Sequence, residues 1–124
     1  MPTPSFLASS LYVAVGGGLG AWLRFVAGRL LPSSGFPWAT LGVNVIGSFA
    51  MGLLAAWLAR SGGSEDLRLL LGVGLLGGFT TFSAFSLEIV QLAQRGEAGL
   101  AGLYVAASLG GGIIALLLGL KAFA

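Results

Sequence analysis

Four long apolar stretches take up nearly all of this 124-residue chain. A helix that crosses the hydrocarbon core of a bilayer needs roughly 20 such residues. Inside lipid, every backbone N–H and C=O must find its partner within the protein, which restricts what can span it. The stretches therefore predict an all-α integral membrane protein with four transmembrane helices, at about 6–31, 38–59, 69–94 and 100–120. They form a single domain over 1–124, with no residues left for a water-soluble one.

Charge agrees with lipid as the solvent. Only 8% of the residues are charged, against roughly 25% in a soluble domain. The polar residues gather in short connections: Pro32-Ser33-Ser34-Gly35-Phe36-Pro37, the stretch Arg60 to Arg68, and Arg95-Gly96-Glu97. The six Lys and Arg are scattered and make no patch for nucleic acid. The chain has neither Cys nor His, which removes thiol chemistry, most metal sites and most acid–base catalysis. An enzyme is not expected. Met1-Pro2-Thr3-Pro4 lacks the basic start of a signal peptide, so the first stretch is expected to stay as a span.

Glycine, at 22 residues, disfavours helices in water but lets them approach closely in lipid. Gly16 and Gly20, Gly74 and Gly78, and Ser108 and Gly112 each have small-xxx-small spacing. Lys and Arg bias orientation in the membrane. Here Arg60, Arg68 and Lys121 fall on one side, and Arg24, Arg29 and Arg95 on the other. With no bias, the chain is expected to insert both ways, which makes an antiparallel, dual-topology homodimer plausible.

Polar groups at membrane depth are costly and usually face a protein interior or a wet cavity. Arg24, Asn44 and Glu88 are such groups. The densest constellation is Gly77-Gly78-Phe79-Thr80-Thr81-Phe82-Ser83-Ala84-Phe85-Ser86, in the middle of the third stretch. Its glycines and hydroxyls each disfavour a regular helix, so the third helix is expected to break there. A broken helix in a membrane can line a cavity and offer carbonyls to a cation. Phe82 and Phe85 share a helical face with Ser86 and Ser83. Their positive ring edges, beside hydroxyl donors, suit a small anion. Tyr104 and Ser108, one turn apart on the fourth stretch, extend the polar groups into a track.

Three segments resemble the CrcB/Fluc family of fluoride channels: Gly17 to Arg24 (GGLGAWLR), Trp38 to Gly52 (WATLGVNVIGSFAMG) and Gly77 to Glu88 (GGFTTFSAFSLE). The resemblance covers essentially the whole chain. It implies an antiparallel homodimer in the plasma membrane (the inner membrane of a Gram-negative cell) with two fluoride pores. It implies that Phe82 and Phe85 line the pores and that Asn44 helps fluoride in from the vestibule. Thr40, Ser83, Ser86, Tyr104 and Ser108 match positions near the pore or its polar track. Arg24 would sit at the vestibule and Glu88 near the pore mouth. Carbonyls of Gly77 and Thr80 would bind a structural sodium ion, contributed twice by the dimer, with no organic cofactor. The chain departs from the family pattern at Ala84, where Thr or Ser is expected, at Gly112, where some members carry serine, and at Ala39, often a glycine.

Two other readings compete. A small dual-topology, proton-coupled multidrug exporter would also have four short-looped helices, but it needs a membrane carboxylate; the first stretch has none, and Glu88 is the one deep carboxylate. A structural subunit would leave the third-stretch hydroxyls and phenylalanines without a purpose.

Overall fold

A computed structural model describes residues 4–32 and 35–123. Ser33 and Ser34 of the first connection, and Met1 to Thr3, lie outside the described residues. Among the described residues the regular structure is entirely helical. Four helical runs are long and apolar enough to cross a membrane.

Helix α1 is Phe6–Leu30, and the Ser5 hydroxyl caps it by accepting the Ala8 N–H at 3.2 Å. Helix α2 is Trp38–Ser61; Pro37 precedes it and left-handed Gly62 (φ 83°) ends it. The third run is not one helix. Its first half, α3 (residues 65–79), starts in Glu65–Leu67, where the Ser64 hydroxyl accepts the Leu67 N–H. It then widens through Arg68–Leu76 into π-type turns, so that the Gly77 N–H reaches the Gly72 carbonyl five residues back. One α-turn, Gly77–Phe79, closes it. Thr80 (ψ 156°) and Thr81 (φ −148°) are extended, and the chain restarts as α4, Phe82–Gln94. The expected break therefore lies at Thr80-Thr81. Helix α5 is Ala98–Ala122, entered through a tight turn at Gly96 (φ 80°).

Two glycine seams hold the helices. A Cβ at Gly16 would lie 2.8 Å from the Leu75 backbone nitrogen, and one at Gly20 2.8 Å from that of Phe79. One at Gly78 would run into the Gly17 backbone. So α1 and α3 touch backbone to backbone through the Gly16/Gly20 and Gly74/Gly78 spacings. Helices α2 and α5 cross equally closely: a Cβ at Gly52 would lie 2.9 Å from Leu120 N, and one at Gly119 2.8 Å from Leu53 N. Lipid gives helices little hydrophobic reason to associate, so such close packing carries the assembly. Large apolar side chains on α1 and α5, among them Phe6, Trp22, Leu103 and Leu117, face outward.

The two ends of the bundle are tied as well. Arg95 Nη2 donates to the Gly35 carbonyl at 3.1 Å and meets Glu97 Oε2 at 3.2 Å. At the opposite end Arg60 donates to the Phe123 carbonyl at 2.6 Å, and Arg68 pairs with Glu65.

Candidate functional site

The break leaves backbone groups without helical partners, and side chains from other helices take up several of them. In an unbroken helix the Thr81 N–H would go to the Gly77 carbonyl. It donates instead to Asn44 Oδ1 at 2.8 Å, while Asn44 Nδ2 donates to the Thr81 carbonyl at 3.0 Å. The amide of Asn44 thus mimics a strand partner for the extended residue. Arg24 Nε donates to the Gly78 carbonyl at 3.1 Å, whose helical donor would have been Phe82. The Ala84 N–H, next in line for the Thr80 carbonyl, is capped by Thr81 Oγ1 at 3.2 Å. Among the described residues, the Gly77 and Thr80 carbonyls accordingly accept no backbone N–H across the break. Thr80 Oγ1 turns back to the Leu76 carbonyl at 2.9 Å.

A groove of about 310 Å³ opens beside the break. Asn44 and Ser48 of α2, Thr80, Phe82 and Phe85 of the third run, and Ser108 of α5 line it with aliphatic neighbours, and none of its lining residues is charged. The two phenyl rings are 5.8 Å apart at 58°. Their surroundings differ sharply: Phe85 is 7% exposed, whereas Phe82 is 77% exposed. Ser108 Oγ is buried with no hydrogen-bond partner among the described residues. A buried hydroxyl without a partner costs about 1–3 kcal/mol, so this one is free to donate to something in the groove.

Beyond Phe85 lies a polar cluster. Glu88 accepts from Thr40 Oγ1 at 2.9 Å on one carboxylate oxygen and from the Tyr104 hydroxyl at 2.8 Å on the other. Tyr104 is fully buried, with Phe85 edge-on at 5.1 Å and Phe36 edge-on at 5.4 Å. Arg24, Thr40, Thr81 and Glu88 line a second cavity of about 270 Å³. Arg24 and Glu88 thus share a cavity wall without forming an ion pair within 4.0 Å.

The structure brings Asn44, Phe82, Phe85, Thr80 and Ser108 to the groove, and Thr40, Tyr104, Glu88 and Arg24 to the adjoining cluster. Ser83 and Ser86 lie outside the groove lining; Ser86 Oγ donates to the Phe82 carbonyl at 3.0 Å, and Ser83 faces Thr81 Oγ1 at 3.4 Å. Sequence reasoning missed Ser48, the carbonyl of Gly78 as a partner for Arg24, and Phe36. It also missed the Gly52–Gly119 crossing, although Ser48/Gly52 and Ala115/Gly119 have the same small-xxx-small spacing.

Four helical runs long and apolar enough to span a bilayer, the third broken beside an uncharged hydroxyl- and phenyl-lined groove, define a multi-pass membrane protein. The sequence profile of the family described as CrcB-like protein, Camphor Resistance (CrcB), matches residues 11–120. The chain belongs to that family. A protein of Novosphingobium aromaticivorans named fluoride-specific ion channel FluC is 60% identical over 120 residues, which is 93% of this chain and 95% of its own length. Proteins with the same name from Sphingopyxis alaskensis and Mesorhizobium japonicum are 54% identical over 107 residues (83% of this chain, 85% of its own) and 52% over 113 (89% and 91%).

Proposed function

We propose that this chain is a fluoride-selective channel that lets fluoride leave the cytoplasm passively across the plasma membrane, working as an antiparallel homodimer with two pores. The observation that carries the reading is the groove itself, together with the names of the relatives that are similar over almost the whole chain. Fluoride is small, strongly hydrated and a strong hydrogen-bond acceptor. The groove is lined by Ser108, whose hydroxyl has no partner among the described residues, and by the rings of Phe82 and Phe85, with no fixed charge. A site without ionised donors binds weakly enough to release, which conduction requires.

The dimer supplies what one chain leaves open. Phe82 stands 77% exposed at the groove, and a second copy would close that wall. The carbonyls of Gly77 and Thr80, freed by the break, are hard oxygen donors of the kind that suit sodium. Two copies related by a twofold axis would present four of them to one structural ion. Asn44 would act chiefly by holding Thr81, with its place in the groove beside that role. Arg24 and Glu88 would border the vestibule and the pore mouth.

Purified protein in liposomes loaded with fluoride or chloride, read with ion-selective electrodes, tests the reading. Rapid fluoride efflux with negligible chloride efflux is expected. Folded protein that releases no fluoride would overturn it.

A further inference from the structure

We infer that Ser48 is a fluoride-contacting hydroxyl of the groove, reaching from α2 into the space that Gly112 leaves open on α5. The inference rests on the fluoride reading above.

Three observations converge. First, Ser48 lines the same groove as Ser108, Phe82 and Phe85, from the helix opposite Ser108. Second, Gly112 lies one turn beyond Ser108, and a Cβ built there would sit 3.5 Å from Ser48 Oγ. The Ser48 hydroxyl therefore occupies the neighbourhood that a side chain at 112 would enter, and the missing Cβ gives it room. Third, Ser48 is on hand without being committed. Its hydrogen goes to the Asn44 carbonyl one turn back, at 2.7 Å. Such a back-bond inside a helix is weak and slightly unfavourable for the helix. An anion is a stronger acceptor than an amide carbonyl, so rotation about χ1 hands the hydrogen to fluoride at small cost.

The geometry gives fluoride two hydroxyl donors on facing helices, Ser108 on α5 and Ser48 on α2. An ion that has shed water in a narrow passage needs donors from more than one direction. A single serine beside two phenyl edges offers just one strong hydrogen bond. With Ser48 the track crosses from α5 to α2 where the run of hydroxyls on α5 stops at Gly112.

The test uses full-length protein in liposomes. Ser48→Ala removes the hydroxyl and leaves the Asn44–Thr81 pair untouched, so the fold should persist with unchanged thermal stability in detergent. Fluoride efflux should fall by about tenfold or more, the rate equivalent of one hydrogen bond to an ion. The relocated pair Ser48→Ala/Gly112→Ser returns a hydroxyl to the same space from the other helix and should recover efflux to within about threefold of the parent. A purely packing role for Ser48 predicts no such rescue. Unchanged efflux in folded Ser48→Ala overturns the inference, and so does a folded relocated pair no faster than Ser48→Ala. A parent protein that passes no fluoride is a different result: it sinks the channel reading, and this inference falls with it.

Discussion

Asn44 holds Thr81 through both halves of its amide, taking the Thr81 N–H at 2.8 Å and giving its own N–H to the Thr81 carbonyl at 3.0 Å. The pair joins residues 37 positions apart in sequence. It lets the third span be extended at membrane depth without leaving that peptide unpaired. Asn44→Ala removes both bonds, and each buried group left unpaired costs about 1–3 kcal/mol. Thermal unfolding in detergent should therefore occur at clearly lower temperature. Asn44→Asp puts a carboxyl group at membrane depth opposite the Thr81 carbonyl, so it should not restore the parent's stability. An Asn44→Ala protein as stable as the parent would show that the pair is dispensable.

Phe82 and Phe85 share a helical face but differ in burial, which separates two effects usually confounded. Phe85→Ile should slow fluoride efflux and also lower stability, by about 1–3 kcal/mol for a reshaped buried side chain. Phe82→Ile sits at a position 77% exposed and should leave the single chain's fold alone. Its expected effect is confined to efflux, slowed by about tenfold or more. Electrode recordings beside thermal melts distinguish the two, and normal efflux in both variants would remove the rings from the path.

The Thr40–Glu88–Tyr104 cluster should behave as a unit. Tyr104→Phe removes a hydroxyl donated to a carboxylate, a bond worth about 1.5–3 kcal/mol. In a Glu88→Ala background the same substitution has no partner to lose. A double-mutant cycle on unfolding should return a coupling of about 0.5–3 kcal/mol. Additive effects would mean that the 2.8 Å contact contributes nothing to stability.

The helix crossings give a matched pair of glycine substitutions on one helix. Gly119→Ala drives a methyl into the backbone of α2, 2.8 Å from Leu53 N, and should cost about 1–3 kcal/mol. Gly99→Ala meets nothing within 4 Å in the chain and should be neutral or slightly stabilising by helix propensity. Melting curves that shift alike for both would refute the seam.

Removing sodium tests the carbonyls freed at the break. Exchange into a buffer whose only cation is a bulky organic one should weaken the dimer and slow efflux together, and sodium should restore both. Size-exclusion chromatography in detergent follows the dimer independently of transport. Indifference of both properties to sodium would argue against the ion.

Much of this architecture is legible in the sequence, because lipid makes the rules strict. Long apolar runs must be helices, and a helix in lipid with Gly77-Gly78 and four hydroxyl residues at its centre is poorly supported as a straight rod. The Gly16/Gly20 and Gly74/Gly78 spacings also announce the faces that meet. What the sequence hides is pairing across distance. Asn44 reads as a polar group in need of a partner, but nothing local says that the partner is backbone. Gly52 and Gly119 carry small-xxx-small spacing with Ser48 and Ala115, but that spacing does not say which helix each one meets. Ser48 reads as a helix-interior serine; its relation to Gly112 exists only in three dimensions. The π-type widening at Arg68–Leu76 has no sequence signature that we can identify.

The glycine seams divide the chain by its tolerance of change. Where α1 meets α3 and α2 meets α5, main chain rests on main chain, and even a methyl group has nowhere to go. Helix α4, by contrast, contains no glycine, and it meets its surroundings through side chains such as Phe85 and Glu88. The helix crossings are thus made by main chain, whereas α4 meets its neighbours through side chains. A side chain changed along α4 can be met by rotation of its neighbours, whereas a methyl added at either seam must push two helices apart.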